Sequence, residues 1–175
     1  RKVVEDLQEL YGKRIAPIHM PIRENEKFVG YINIVKNKSR RYMGKDKQEE
    51  CEIPEYSKEY LEKYRETLME SVAETSEEFM DRYFGGEEFS VAEISSVLSA
   101  NVGDVSLVPV CMGSSVNLQG VSNLLDDIVG YFPNPSQRKR AGLDKNSNAV
   151  FNADYDFQKP KSATIFKTIV DPFLG

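Results

Sequence analysis

The side chains that could do chemistry fall into three groups: the turn Gly113-Ser114-Ser115, a dense run of carboxylates, and the isolated His19, Cys51 and Cys111. A phosphate-binding loop needs glycines closing on Lys-Ser/Thr, because backbone donors and an ammonium must surround the phosphates. No such run occurs among the 175 residues. The Gly113 turn does not match a nucleophile elbow, and His19 is remote in sequence, which argues against a Ser-His-acid hydrolase. One histidine and two distant cysteines make neither a zinc cluster nor a convincing disulfide. No catalytic and no metal-ligating residue is therefore assigned. His19 itself, within Ile15 to Ile22, reads as a histidine satisfied in or beside a strand.

The carboxylates are unevenly placed. From Asp46 to Glu93 there are 16 acidic and 5 basic residues, a net of −11 in a chain whose total is −5. Glu59, Glu62, Glu66 and Glu70 recur at helical spacing, which makes a solvated acidic ridge, while Lys36 to Arg41 and Arg138 to Arg140 are basic. A polyanion such as RNA is repelled by the acidic stretch and attracted only by its flanks. Hydrophobic residues make up 40% of the chain, enough for a core. No apolar run of about 18 residues occurs and the opening residues lack a signal peptide's apolar stretch, so the expectation is a soluble, cytoplasmic chain with no membrane partner.

The elements that must position these groups follow from periodicity. Val3, Val4, Leu7, Leu10 and Tyr11 share one side of a helix over 2–11, ended by Gly12. Ile15 to Ile22 reads as one strand, with Pro17 and Pro21 placing it at an edge. Phe28 to Val35, Arg40 to Met43 and Glu49 to Ile53 supply a small antiparallel sheet with a turn at Gly44. Pro54 then opens an amphipathic helix carrying Tyr60, Leu61, Tyr64, Leu68 and Val72 opposite the acidic ridge. Thr75 with Glu78, and Ser90 with Glu93, read as capping boxes that start two further helices separated by Gly85 and Gly86. Val105 to Met112 is almost continuously apolar, as a strand covered on both faces of a parallel sheet would be. The loop from Gly113 to Gly120 leads into a helix bearing Val121, Leu124, Leu125, Ile128, Val129 and Phe132, stopped by Pro133 and Pro135. Strand, polar loop and helix form a βα unit, whose ligands bind at the carboxyl ends of strands. Residues 134–160 lack periodicity and read as a linker, and Ser162 to Val170 as a strand opening a new unit.

The order LVPVCMGSSVNLQGVSNLLDDIVGYFPNP resembles the end of the G domain in the elongation factor G family, where a strand runs into Gly-Ser-Ala, then Gly-Val, and a last helix closed by Tyr-hydrophobe-Pro-x-Pro. The segments KVVEDLQELYG, APIHMPI, FVGYINIV and IPEYSKEYLEKYRETLMESVAETSEEFMDRYFGGEEFS resemble that family's stretch through its inserted G-prime subdomain, and ATIFKTIVDPFLG resembles the opening strand of its second, β-barrel domain. The likeness implies an α/β fold: the last βα part of a P-loop-GTPase-like doubly wound sheet with an inserted helical and antiparallel-sheet subdomain. It implies G-domain elements at 1–22 and 105–133, the insert at 23–104, a linker at 134–160 and the start of a barrel at 161–175.

By the same resemblance Gly113, Ser114, Ser115 and Val116 occupy the fifth GTPase signature, whose loop offers backbone donors to the guanine oxygen. The parent would use GTP or GDP with magnesium and work on the ribosome, meeting rRNA and the acidic stalk protein of the large subunit. The helix from Glu55 to Ala73, with Glu59, Glu62, Glu66 and Glu70, is the implied contact surface, apolar or edge residues carrying contact with an acidic partner. The phosphate loop, switches and Asn-Lys-x-Asp motif precede this stretch in the family, so the segment is expected to be an internal, monomeric fragment, to bind no nucleotide and to be inactive alone. Ser115 replaces the usual alanine, Val116 an aromatic, and Leu118 and Gln119 the usual Asn-Lys, as in a diverged paralogue. Two alternatives stay open: a non-catalytic adaptor whose acidic helical surface takes a basic protein, and a ribosomal-protection or release-factor-like relative.

Overall fold

The computed structural model describes residues 2–44, 47–134, 136, 140–144, 146–153, 156, 158, 163, 165–170 and 173. They group into two compact units, residues 1–133 and 134–175.

The first unit opens with α1 (Lys2–Tyr11) and a single 3-10 turn at Gly12–Arg14. The one strand expected from Ile15 to Ile22 is in fact two, β1 (Ile15–Pro17) and β2 (His19–Glu24). They serve different sheets. β1 pairs in parallel with β6 (Val108–Val110), whereas β2 pairs antiparallel with β3 (Lys27–Asn33). Ile18 is the crossover: its N–H donates to the Val110 carbonyl at 2.9 Å and its carbonyl accepts from the Ile34 N–H at 2.9 Å. Pro17, just before it and last in the β1–β6 register, has no N–H to donate to a ladder, so one pairing can stop here and another begin.

β2, β3, β4 (Lys38–Tyr42) and β5 (Gln48–Cys51) form a four-stranded antiparallel sheet in that order. α2 (Glu55–Ala73) follows Pro54, which sits at the N-cap in an extended conformation with φ −60° and ψ 140°. It buries Leu61, Tyr64, Leu68, Ser71 and Val72 on one side, and the Ser71 hydroxyl donates to the Lys13 carbonyl at 2.7 Å. α3 (Glu77–Phe84) starts one residue later than the Thr75 reading requires. Ser76 is the cap and accepts from the Phe79 N–H at 3.2 Å, while the Thr75 hydroxyl is turned back onto the Val72 carbonyl at 2.7 Å. α4 (Val91–Val102) does begin with the Ser90–Glu93 capping box. Ile18, Ile22, Ile32, Ile34, Leu68, Ile94 and Leu98 are buried to within 1% and make the core of this unit.

β6 is shorter and less covered than the run Val105 to Met112 suggests, and its three residues are only half-buried. Val105 has φ +67°, and the Asp104 side chain accepts from the Ser106 N–H at 2.9 Å, so the chain bends just before the strand. Among the described residues β1 is its one neighbour, forming a two-stranded parallel sheet. α5 (Val121–Tyr131) completes the unit; Leu124, Leu125, Ile128 and Val129 on it are exposed.

The second unit contains β7 (Arg140–Leu143) paired antiparallel with β8 (Val150–Ala153), where the sequence pattern predicts a linker. The hairpin is closed by Asp144, whose carboxylate accepts from the Asn146 and Ser147 N–H groups at 2.7 and 3.0 Å, an Asx turn between two strands of only four residues each. The strand expected from Ser162 to Val170 is also corrected. Ser162 and Thr164 lie outside the described residues, and 165–170 carry no ladder, with Ile165, Phe166, Ile169 and Val170 exposed. A strand needs a partner for its backbone groups, and no described strand pairs here.

Candidate functional site

The loop between β6 and α5 is a closed structure and not a slack connection. Ser114 and Gln119 form an isolated bridge, with Ser114 N–H donating to the Gln119 carbonyl at 2.7 Å and Gln119 N–H to the Ser114 carbonyl at 3.0 Å. The Ser114 hydroxyl accepts from the Asn117 N–H at 3.3 Å. Residues 115–118 therefore project as a tight exposed tip, with Val116 91% accessible. Glycine is required at both ends of the clasp. A Cβ on Gly113 would meet the Gln119 carbonyl oxygen at 2.7 Å, and one on Gly120, whose φ is +85°, would meet the Met112 carbonyl oxygen at 2.9 Å. Gly120 then caps α5, accepting from the Leu124 N–H at 3.0 Å.

The acidic ridge is separate from this loop. Glu59, Glu62 and Glu66 are exposed on α2 and Glu70 is half-buried. Glu62 and Glu66 border a hollow of about 310 Å³ floored by Met69, Tyr83 and Phe89. The structure gathers the ridge glutamates on one helix, as their spacing predicts, but brings none of them to residues 113–116.

Sequence reading missed the polar contacts that bind α5 to the four-stranded sheet. A cleft of about 450 Å³ between them is lined by His19, Tyr31, Lys36, Arg40, Asn123 and Asp127, among others. Asn33 Oδ1 accepts from the Lys36 N–H at 2.8 Å, which orients the amide so that its Nδ2 donates to His19 Nε2 at 3.3 Å. The remaining ring nitrogen, Nδ1, then carries the proton and faces Asp127 Oδ2 at 3.6 Å. Burial, and secondarily Lys36, holds His19 down to about 4, so the ring is neutral. Burial, with Asp126 adding to it and Lys36 opposing, pushes Asp127 up to about 6. Asn123, one helical turn before Asp127, accepts from the Gln48 side chain at 2.5 Å, and Gln48 in turn accepts from the Tyr31 hydroxyl at 3.1 Å. The i, i+4 placement of Asn123 and Asp127 was the available signal.

A βα unit whose strand pairs in parallel, interrupted in sequence by an antiparallel sheet and helices, is the class the fold defines: the last βα part of a doubly wound, P-loop-GTPase-like sheet with an inserted subdomain. The chain is 38% identical over 161 residues to elongation factor G of Neorickettsia sennetsu, a match covering 90% of this chain and 23% of that protein. A crystal structure of a Thermus thermophilus protein superposes with a TM-score of 0.70 at 31% identity, covering 78% of this chain and 20% of the other. No protein-family model matches the chain. Over nine-tenths of its length the chain matches elongation factor G, and it spans about a quarter of the length of that curated relative.

Proposed function

We propose that this chain supplies the guanine-facing end of a GTPase that works on the ribosome in protein synthesis, and that Gly113, Ser114, Ser115 and Val116 border the guanine base. The observation that carries this is the clasped loop at the carboxyl end of β6, running directly into α5. Ligands of open α/β sheets bind at that edge, and a rigid loop presents backbone N–H groups without an ordering cost. The Ser115 N–H is the donor for the guanine oxygen, so serine in place of alanine leaves the contact intact. The phosphates and magnesium of GTP or GDP would be held by motifs this sequence does not contain.

In this reading residues 1–22 and 105–133 are G domain, 23–104 the insert, 134–160 the connection with its hairpin, and 161–175 the start of a second domain. Open apolar residues on α1 (Val3, Leu10) and α5 (Leu124, Leu125, Ile128) support it, since the rest of a GTPase sheet and its helices would cover them. The insert docks the large-subunit stalk protein on α2, the hollow beside Met69 taking an apolar side chain, with Glu62 and Glu66 at its rim. A cytoplasmic location follows from that role. GDP titration of the full-length protein by calorimetry tests the loop: bulky residues at Ser114 and Ser115 weaken binding, whereas unchanged affinity rejects it.

A further inference from the structure

We infer that the inserted sheet positions the 113–120 loop, through Tyr42 against Gly120 and two polar relays that end on Asn123 and Asp127 of α5. The inference rests on the reading of that loop as the guanine edge, but its first test does not. Tyr42, on β4, places its hydroxyl 3.2 Å from where a Cβ of buried Gly120 would be, so the sheet abuts the residue at which loop becomes helix. From there two side chains of the sheet meet α5: Gln48 of β5 bonds Asn123, and His19 of β2 faces Asp127. The first relay runs back to Tyr31, the second through Asn33 to the backbone of Lys36. A helix hydrogen-bonded at Asn123 and faced by the His19 ring one turn further on, at Asp127, cannot rotate without breaking the first contact and changing the second, and its first residue is fixed to the clasp. His19, Asn123 and Asp127 are thus positioning residues, touching no ligand themselves.

The His19–Asp127 contact makes this coupling visible by pH. Asp127 Oδ2 is buried without a hydrogen-bond partner among the described residues. Below about 6 the carboxyl gains a proton and its relation to the ring changes. The charged and titratable groups around the pair among the described residues are Tyr31 on β3, Lys36 after it, Lys38 and Arg40 on β4, Cys111 beyond β6, and Asp126 and Tyr131 on α5. Residues 113–120 contain no titratable side chain. A pH response of their amides must therefore reach them from outside.

The experiment is a series of amide spectra of the 175-residue chain from pH 7.5 to 5, for the native sequence, Asp127→Asn, His19→Asn and His19→Gln. Loop amides of the native chain move with one midpoint near pH 6, and Asp127→Asn removes that midpoint. His19→Asn, which keeps an N–H where Nδ1 stood, leaves the loop amides near their native positions at pH 7.5; His19→Gln, which does not, displaces them. Loop amides indifferent to pH and to all three substitutions overturn the inference, and the two histidine variants keep it testable if Asp127→Asn folds poorly. GDP titration of the full-length protein separates the two readings. Loss of affinity with Ser115→Trp but silent loop amides in the relay variants leaves the guanine edge standing and rejects the positioning role. Responsive amides with unchanged GDP affinity in Ser115→Trp do the reverse. Where both readings hold, Asp127→Asn weakens GDP roughly fivefold or more.

Discussion

Gly113 and Gln119 approach so closely that a Cβ on the glycine would lie 2.7 Å from the glutamine's carbonyl oxygen. That carbonyl also accepts the Ser114 N–H, so it cannot retreat without opening the clasp. Gly113→Ala should therefore destabilise the chain by about 1–3 kcal/mol, the usual cost of a methyl group forced into a filled position. Gly120→Ala adds left-handed strain to a similar clash and should cost at least as much. Urea denaturation followed by circular dichroism checks both; a change below about 0.5 kcal/mol, the range of neutral surface substitutions, would contradict the clasp.

The buried pair gives a pH prediction with a definite sign. Asp127, raised to about 6, contributes stability that is full below its ordinary carboxylate value and is lost as pH rises through about 6. His19, lowered to about 4, contributes stability that is full above its ordinary imidazole value and is lost as pH falls toward about 4. The two slopes oppose each other across the same window, so together they leave stability nearly flat there. Asp127→Asn removes one of them. Its stability should fall between pH 6.5 and 4 more steeply than the native chain's, by up to about 1.4 kcal/mol per pH unit. Equal slopes in denaturation curves of the two proteins would show that the Asp127 carboxyl is not raised by its surroundings.

The start of α3 distinguishes two neighbouring residues. Ser76→Ala removes the side chain that accepts from Phe79 and should cost about 1 kcal/mol. Thr75→Ala removes a bond to a carbonyl already inside α2 and should cost less. Thermal melts of the two variants decide between them.

Reversing Glu62 and Glu66 to lysine should leave stability within about 0.5 kcal/mol, because both are exposed. If α2 docks a partner with cationic flanks, the same change should weaken binding of the full-length protein to purified large ribosomal subunits, most strongly at low salt. Unaltered binding in a salt series would remove α2 from the docking surface.

Much of this fold can be read in the sequence because long helices and alternating strands write their periods plainly. Leu61, Tyr64, Leu68 and Val72 specify α2 and leave the acidic ridge outward, and Ser90 with Glu93 specifies the start of α4. Where two pairings compete over a few residues, local pattern is silent: nothing in Ile15 to Ile22 says that Ile18 changes sheets, since that depends on the distant Val110 and Ile34. The β7–β8 hairpin is hidden by its short strands, although the Asp144-to-Asn148 stretch carries turn chemistry. The loop at Gly113 was legible from its place in a βα unit. The contacts that hold α5 were not, because His19 and Asp127 meet only after the insert has folded back on the helix that follows it.

Central to the account is that residues 113–116 border guanine. The most direct measurement is GDP titration of the full-length protein by calorimetry, comparing the native sequence with Ser115→Trp. The account predicts at least a tenfold loss, about 1.4 kcal/mol, with the fold intact by circular dichroism. Equal affinity in the two proteins would contradict it.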